Sequence, residues 1–235
     1  WKDTEVAVKV MTLDIEGLIE DGDAAEQLEE VKTEALALNR LEHQNIVKFY
    51  GVSFKNTEVN LCLCIILQMC SRSLNDEIDD KTVTLTWSQK LRYLLDVAQG
   101  MQHMHSVGVY HRDLKPANVL LDSSGEQGRV TAKVTDFGTS KIAKEGEKSM
   151  TTNIGSPAFM APEIMVCEET ARCSPALTDV YAFGCTMYAV MAKTHLYNDK
   201  RFKGANIWVL REAIKDGARP DLECCLLYTS DAADE

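Results

Sequence analysis

Apolar and polar positions change period along this chain, and each change marks a new element. Glu5-Val-Ala-Val-Lys-Val10 alternates briefly and is β-branched, which predicts a strand. From about Ala24 to Arg40, Leu28, Val31, Ala35 and Leu38 recur at three- and four-residue spacing, the pattern of a helix with one buried face. Residues 46–53 and 59–69 read as two further strands, separated by the polar turn Lys55-Asn-Thr-Glu58. Thr86 and Gln89 then fit a capping box, and Leu91, Leu94, Leu95, Ala98 and Met101 follow at helical spacing, with an end expected near Gly108. Val180 to Ala192 is apolar almost all round, which predicts a buried helix. Strands first and helices after imply an α+β protein with a small sheet-rich lobe and a larger helical one, divided near residues 68–75.

Composition narrows the setting. The chain has 235 residues, 45% hydrophobic and 26% charged, which suits a packed core and excludes a disordered tail. Acidic residues number 36 against 25 basic ones, a net charge of −11. Such a surface repels phosphate backbones and anionic lipid, so no nucleic-acid partner is expected. Residues 14–34 hold nine Asp or Glu against the single Lys32, a run that reads as a solvated face. The longest apolar run, Leu61 to Leu67, is seven residues, far below the ~20 that span a bilayer, so no membrane insertion is expected. Eight cysteines show no paired CxxC spacing, and Cys62 and Cys64 share one strand face. They are expected to be reduced thiols of a cytoplasmic protein, with zinc or disulfides as the alternative.

Four segments carry chemistry. His111-Arg-Asp-Leu-Lys-Pro-Ala-Asn118 is followed eighteen residues later by Asp136-Phe-Gly138 and then by Ala161-Pro-Glu163, while Val6-Ala-Val-Lys9 lies upstream. In this ordered set the chain resembles the eukaryotic protein kinases, from its first residue to about residue 222. The resemblance implies a two-lobed kinase-like fold, with a small antiparallel-sheet lobe and a larger helical lobe, both incomplete. Residues 1–69 would form the small lobe without its glycine-rich loop, and residues 70–224 the large lobe without its final helices. The true start is expected upstream of Trp1. Residues 225–235 look like a translated library adapter, a divergent native tail being the alternative.

The same resemblance implies ATP and Mg²⁺ as cofactors and a protein substrate phosphorylated on serine or threonine in intracellular signalling. Phosphoryl transfer needs negative charge neutralised and the attacking oxygen aligned. Lys9 would place an ammonium on the α- and β-phosphates, held by Glu34 or, failing that, Glu30. The 25-residue separation of Lys9 and Glu34 implies an acidic insertion before the helix. Asp136 and Asn118 would hold Mg²⁺, Asp113 would orient and deprotonate the hydroxyl, and Lys115 would neutralise the γ-phosphate. Ala7 and Leu120 would sandwich the adenine, with Leu67 as gatekeeper and the main chain of Gln68 and Cys70 as hydrogen-bonding partners. His111 would pack near Phe137, Asp179 would brace the catalytic loop, and Ser156 would contact Asp113 and Lys115.

Asp113-Leu-Lys-Pro116 and Gly155-Ser-Pro157 have the serine/threonine form. Leu41-Glu-His-Gln-Asn-Ile-Val-Lys-Phe-Tyr-Gly51 and Asp179-Val-Tyr-Ala-Phe-Gly184 resemble the tyrosine-kinase-like group of serine/threonine kinases. Arg112 beside Asp113, with Ser149, Thr151 and Thr152 downstream, suggests switching by phosphorylation through an upstream kinase or autophosphorylation. Two other readings stand beside the enzyme: a pseudokinase acting as a scaffold, and a truncated fragment that is poorly folded and silent.

Overall fold

The computed structural model describes residues 4–14, 23–56, 60–125, 128–142, 156–166 and 173–222. Strand β1 (Val6–Asp14) leads to helix α1 (Asp23–Arg40), then β2 (Phe49–Asn56) and β3 (Asn60–Gln68). The three strands form one antiparallel sheet in the order β1-β3-β2. The unbroken apolar run falls on the central strand, flanked by β1 and β2, and Ile65 and Ile66 are buried there. The register sets Ala7 opposite Leu67 and Lys9 opposite Ile65. Helix α1 packs on this sheet through Val31, Ala37 and Leu38, with Leu28 left exposed at its outer edge.

The chain turns helical after Gln68. A short strand β4 (Arg72–Ser73) precedes α2 (Leu74–Asp79) and the long α3 (Trp87–Ser106). Then come β5 (Val109–Tyr110), a 3₁₀ turn (Pro116–Asn118), β6 (Val119–Asp122), β7 (Thr131–Val134) and β8 (Lys141–Ile142). Helices α4 (Pro162–Val166), α5 (Pro175–Ala192) and α6 (Ile207–Lys215) complete the described part. Strands β4, β6 and β7 form a second small sheet in that order, and β5 pairs with β8. This is the expected α+β, two-lobed architecture. One core links the lobes, running from Leu38 of α1 through Val97 and Met104 of α3 to Phe137 and Val190.

Helix α3 begins at its capping box: the Thr86 hydroxyl accepts from the Gln89 amide at 3.2 Å, and the Gln89 side chain accepts from the Thr86 amide at 2.9 Å. Ser73 and Asp76 form the same device at α2.

Three expectations need correction. On α3 the buried stripe is Leu94, Val97, Met101 and Met104, whereas Leu91 and Leu95 are each 57% exposed, because β7 and α5 cover only one side of the helix. The apolar helix α5 is not buried all round: it starts at Pro175, and Leu177, Val180 and Met187 are exposed. Strand β2 starts at Phe49, since residues 45–47 are claimed by β7: Val47 N–H donates to Val134 O and Val134 N–H to Asn45 O, both at 2.9 Å. Among the described residues, no helix is long and apolar enough to cross a membrane.

That junction also fixes Gly100 of α3. A Cβ added there would stand 2.6 Å from Asn45 O, a backbone atom that the β7 hydrogen bonds hold in place. Gly100→Ala therefore overpacks the contact, and we expect a loss of about 1–3 kcal/mol despite the better helix propensity of alanine. Urea titration should show a lower midpoint with an unchanged slope.

Candidate active site

Three separate elements converge on one ammonium. Lys9 projects from β1, Glu34 from α1, and Asp136 follows β7. Lys9 Nζ donates to Glu34 Oε1 at 3.0 Å and Oε2 at 2.8 Å, and to Asp136 Oδ1 at 3.1 Å. Glu34 is buried, so its carboxylate depends on this partner, while Lys9 and Asp136 keep about half their side chains open to the cleft. Burial alone pulls the Lys9 ammonium down, but Glu34 and then Asp136 outweigh it and leave the group above its ordinary value. Burial pushes the Asp136 carboxyl up, and the Lys9 charge and hydrogen bond more than offset it, holding it below the usual carboxylate range. Asp136 therefore contributes stability above the ordinary carboxylate range and loses it as pH falls through its depressed value. Lys9 contributes below the ordinary ammonium range and loses it as pH rises through its raised value. Lys9 and Asp136 both stay charged across neutral pH.

Residues 111–118 form a loop held from beneath by a buried carboxylate. Asp179, on α5, accepts the His111 amide at 2.9 Å, the Arg112 amide at 2.8 Å and His105 Nε2 at 2.9 Å. Arg112 adopts φ 70°, and Asp136 φ 63°; both are in the left-handed region that costs a non-glycine residue roughly 1–3 kcal/mol. His111 is fully buried and packs against Phe137, ring centroids 5.5 Å apart. Its Nε2 lies 2.9 Å from the Thr135 carbonyl, which can only accept, so Nε2 carries the proton and Nδ1 accepts from the Asp113 amide at 3.3 Å. Through this one ring the Asp113 backbone is tied to the residue before Asp136.

The Asp113 carboxylate is held on both oxygens. Oδ2 accepts from Lys115 Nζ at 2.6 Å and Oδ1 from the Ser156 amide at 2.8 Å, while Lys115 Nζ also donates to Ser156 Oγ at 2.8 Å. Asn118 Nδ2 donates to Asp113 O at 2.9 Å and Oδ2 at 3.3 Å. Its nitrogen is thus spent on Asp113, which leaves the amide oxygen as the atom Asn118 can offer a hard cation. Among the described residues, no group of three or more His, Cys, Asp or Glu could hold a metal ion by itself. Asp136 and Asn118 fit Mg²⁺ of the kind that completes its shell with phosphate and water.

The remaining candidates lie where β3 leaves the sheet. Ala7 pairs with Leu67, and Leu120 lies on β6. The Gln68 amide donates to Lys48 O at 2.8 Å, which restricts any main-chain contact from this residue to its carbonyl. The Glu30 side chain lies outside the described residues, as do Ser149, Thr151, Thr152 and Gly155. Sequence reasoning passed over His105 and Asp122. Neither sits in a motif, and both matter only through partners distant in sequence.

The protein kinase domain family matches residues 1–220, and the chain belongs to it. A probable LIM domain-containing serine/threonine-protein kinase of Dictyostelium discoideum is 31% identical over 227 residues, covering 94% of this chain and 31% of that protein. The serine/threonine-protein kinase TOS3 of Saccharomyces cerevisiae is 30% identical over 178 residues, covering 68% of this chain and 30% of TOS3. A chain from the yeast RNA Pol II CTD kinase CTDK-1 complex superposes with a TM-score of 0.71 at 20% identity, covering 91% of this chain and 61% of that one; it shares the fold. The first three curated relatives are much longer: this chain spans 31%, 17% and 13% of them.

Burial, and then the neighbouring Asp122 carboxylate, push the Cys70 thiol from 9.0 up to about 11. At pH 8 that leaves about 100-fold less thiolate than an unperturbed cysteine. We expect iodoacetamide to label Cys70 correspondingly slowly, with the rate rising towards pH 11, as peptide mapping by mass spectrometry can follow.

Proposed function

We propose that the protein transfers the γ-phosphoryl group of ATP to serine and threonine hydroxyls of protein substrates. The observation that carries this reading is the joined pair of charge clusters, Lys9–Glu34–Asp136 and Asp113–Lys115–Ser156, linked through His111. When bound, Mg²⁺–ATP supplies the phosphoryl group and the cation that neutralises it. Lys9, fixed by Glu34, positions the α- and β-phosphates. Asp136 and Asn118 offer the oxygens for Mg²⁺. Asp113 accepts the substrate hydroxyl's proton and orients the oxygen for attack. Lys115 is already within reach of both Asp113 and the Ser156 hydroxyl, where it screens the γ-phosphate. Ala7, Leu67, Leu120 and the main chain at Gln68 and Cys70 form the adenine site. The division between lobes falls at residues 69 and 70. The Leu41–Gly51 and Asp179–Gly184 segments support placement in the tyrosine-kinase-like group of serine/threonine kinases. Reduced cysteines support a cytoplasmic setting; those described are free thiols.

Asp113→Asn should abolish peptide phosphorylation while leaving Mg²⁺–ATP binding largely intact, because the residue serves the hydroxyl and not the nucleotide. Lys9→Met and Asp136→Asn should also eliminate turnover, and both should weaken nucleotide binding. Calorimetry beside a radiometric peptide assay separates the two effects. Wild-type protein that binds a peptide partner but transfers nothing with Mg²⁺ and ATP would favour a scaffold.

Regulation follows from the same loop. Arg112 is held in a left-handed conformation beside Asp113, and its charge suits a phosphate added to Ser149, Thr151 or Thr152 by an upstream kinase or in autophosphorylation. Complete dephosphorylation of these three positions should lower activity at least severalfold, and unchanged activity after phosphatase treatment would refute the switch.

A further inference from the structure

One buried carboxylate outside the catalytic loop joins the two lobes. Asp122 closes β6 and is only 8% exposed. Its Oδ1 accepts from the Ser124 amide at 2.9 Å and the Ser124 hydroxyl at 2.6 Å, which fixes the carboxylate plane. Oδ2 then faces the end of β3, where Gln68 Nε2 donates to it at 2.8 Å. Lys133 of β7 lies 3.8 Å from the same oxygen and donates to Gln44 O, in the loop before β2, at 2.7 Å. Gln68 is thereby held twice, by its side chain to the large lobe and by its amide to Lys48 O in the small one. Its carbonyl, the group left for adenine, has little freedom to turn.

We propose that Asp122 is a positioning residue for nucleotide binding. It fixes the Gln68 carbonyl relative to the β6–β7 pair, which carries Asn118 just before β6 and Asp136 just after β7. The distance between the adenine contact and the cation-holding oxygens is then set by a hydrogen bond across the lobes rather than by the connecting peptide alone. The latch is closed in the conformation in which Lys9, Glu34 and Asp136 are joined. The proposal rests on the kinase reading above.

The test uses near-isosteric variants. Gln68→Glu sets two carboxylates against each other at a contact of 2.8 Å and opens the latch without removing the hinge carbonyl. Asp122→Ala opens it from the other side. Gln68→Glu combined with Asp122→Asn restores a hydrogen bond with the roles reversed, the new side-chain amide donating to the new carboxylate, and Asp122→Asn alone completes the cycle. Calorimetry with Mg²⁺ and a non-hydrolysable ATP analogue gives Kd, and steady-state kinetics separate KM for ATP from kcat. We expect Gln68→Glu and Asp122→Ala to raise Kd about tenfold, with KM moving more than kcat, and the double variant to recover most of the loss. Thermal melts check that each variant is folded. Equal Kd values across folded variants, a double variant no better than Gln68→Glu, or a rise in kcat on opening the latch would each overturn the role of Asp122. Wild-type protein that binds no nucleotide would instead overturn the kinase reading, and this proposal with it.

Discussion

A fully buried carboxylate tolerates no missing partners, and Asp179 meets that demand by holding the loop of residues 111–118. Its two oxygens collect the amides of His111 and Arg112 and the ring of His105. Losing any one of these would leave a buried carboxylate short of a hydrogen bond, a penalty of roughly 1.5–3 kcal/mol. The loop is therefore locked to α5, and Arg112 is carried into a left-handed conformation that its own backbone would not choose. From this anchor the rest follows. His111 is fixed, its ring determines where Asp113 and Thr135 lie, and Asp113 in turn holds Lys115 and Ser156.

The second cluster is arranged by a different balance. Glu34 is buried and needs a cation, whereas Lys9 and Asp136 remain open to the cleft and can exchange partners. Lys9 is a flexible ammonium with three donors, and its hydrogen bonds go to carboxylates, two to Glu34 and one to Asp136. The Asp136 bond is the more exchangeable of the two contacts, because the Glu34 bonds are bidentate and shielded. Helix α1 is joined to β1 and to the residue that follows Thr135 through this one side chain. Among the described residues of α1, the exposed Glu29 pairs with Lys32 instead.

Both clusters lean on elements from opposite ends of the chain. Asn45 and Val47 hydrogen-bond to Val134, and Gly100 lets α3 approach that junction closely. The same seam continues outward to Lys133, Gln44, Asp122 and Gln68. It joins the lobes through hydrogen bonds and one ion pair, alongside the apolar core that runs from α1 to α5.

Much of this was legible from residues alone. The elements and the capping box at Thr86 followed from period and spacing, while the pairing of Lys9 with Glu34, the packing of His111 on Phe137 and the bracing role of Asp179 were implied by the resemblance to protein kinases; the structure has each of these contacts. Local pattern succeeds there because a motif fixes both residue types and their separation. It failed at Leu91, Leu95, Val180 and Met187, where the sequence marks a residue as apolar and cannot say which neighbour covers it. It also missed His105 and Asp122, whose partners lie 74 and 54 residues away, and the left-handed turns at Arg112 and Asp136. Backbone strain and the matching of a buried charge to distant donors are properties of the packed molecule. They exist only once the lobes have met, so the tertiary structure decides them.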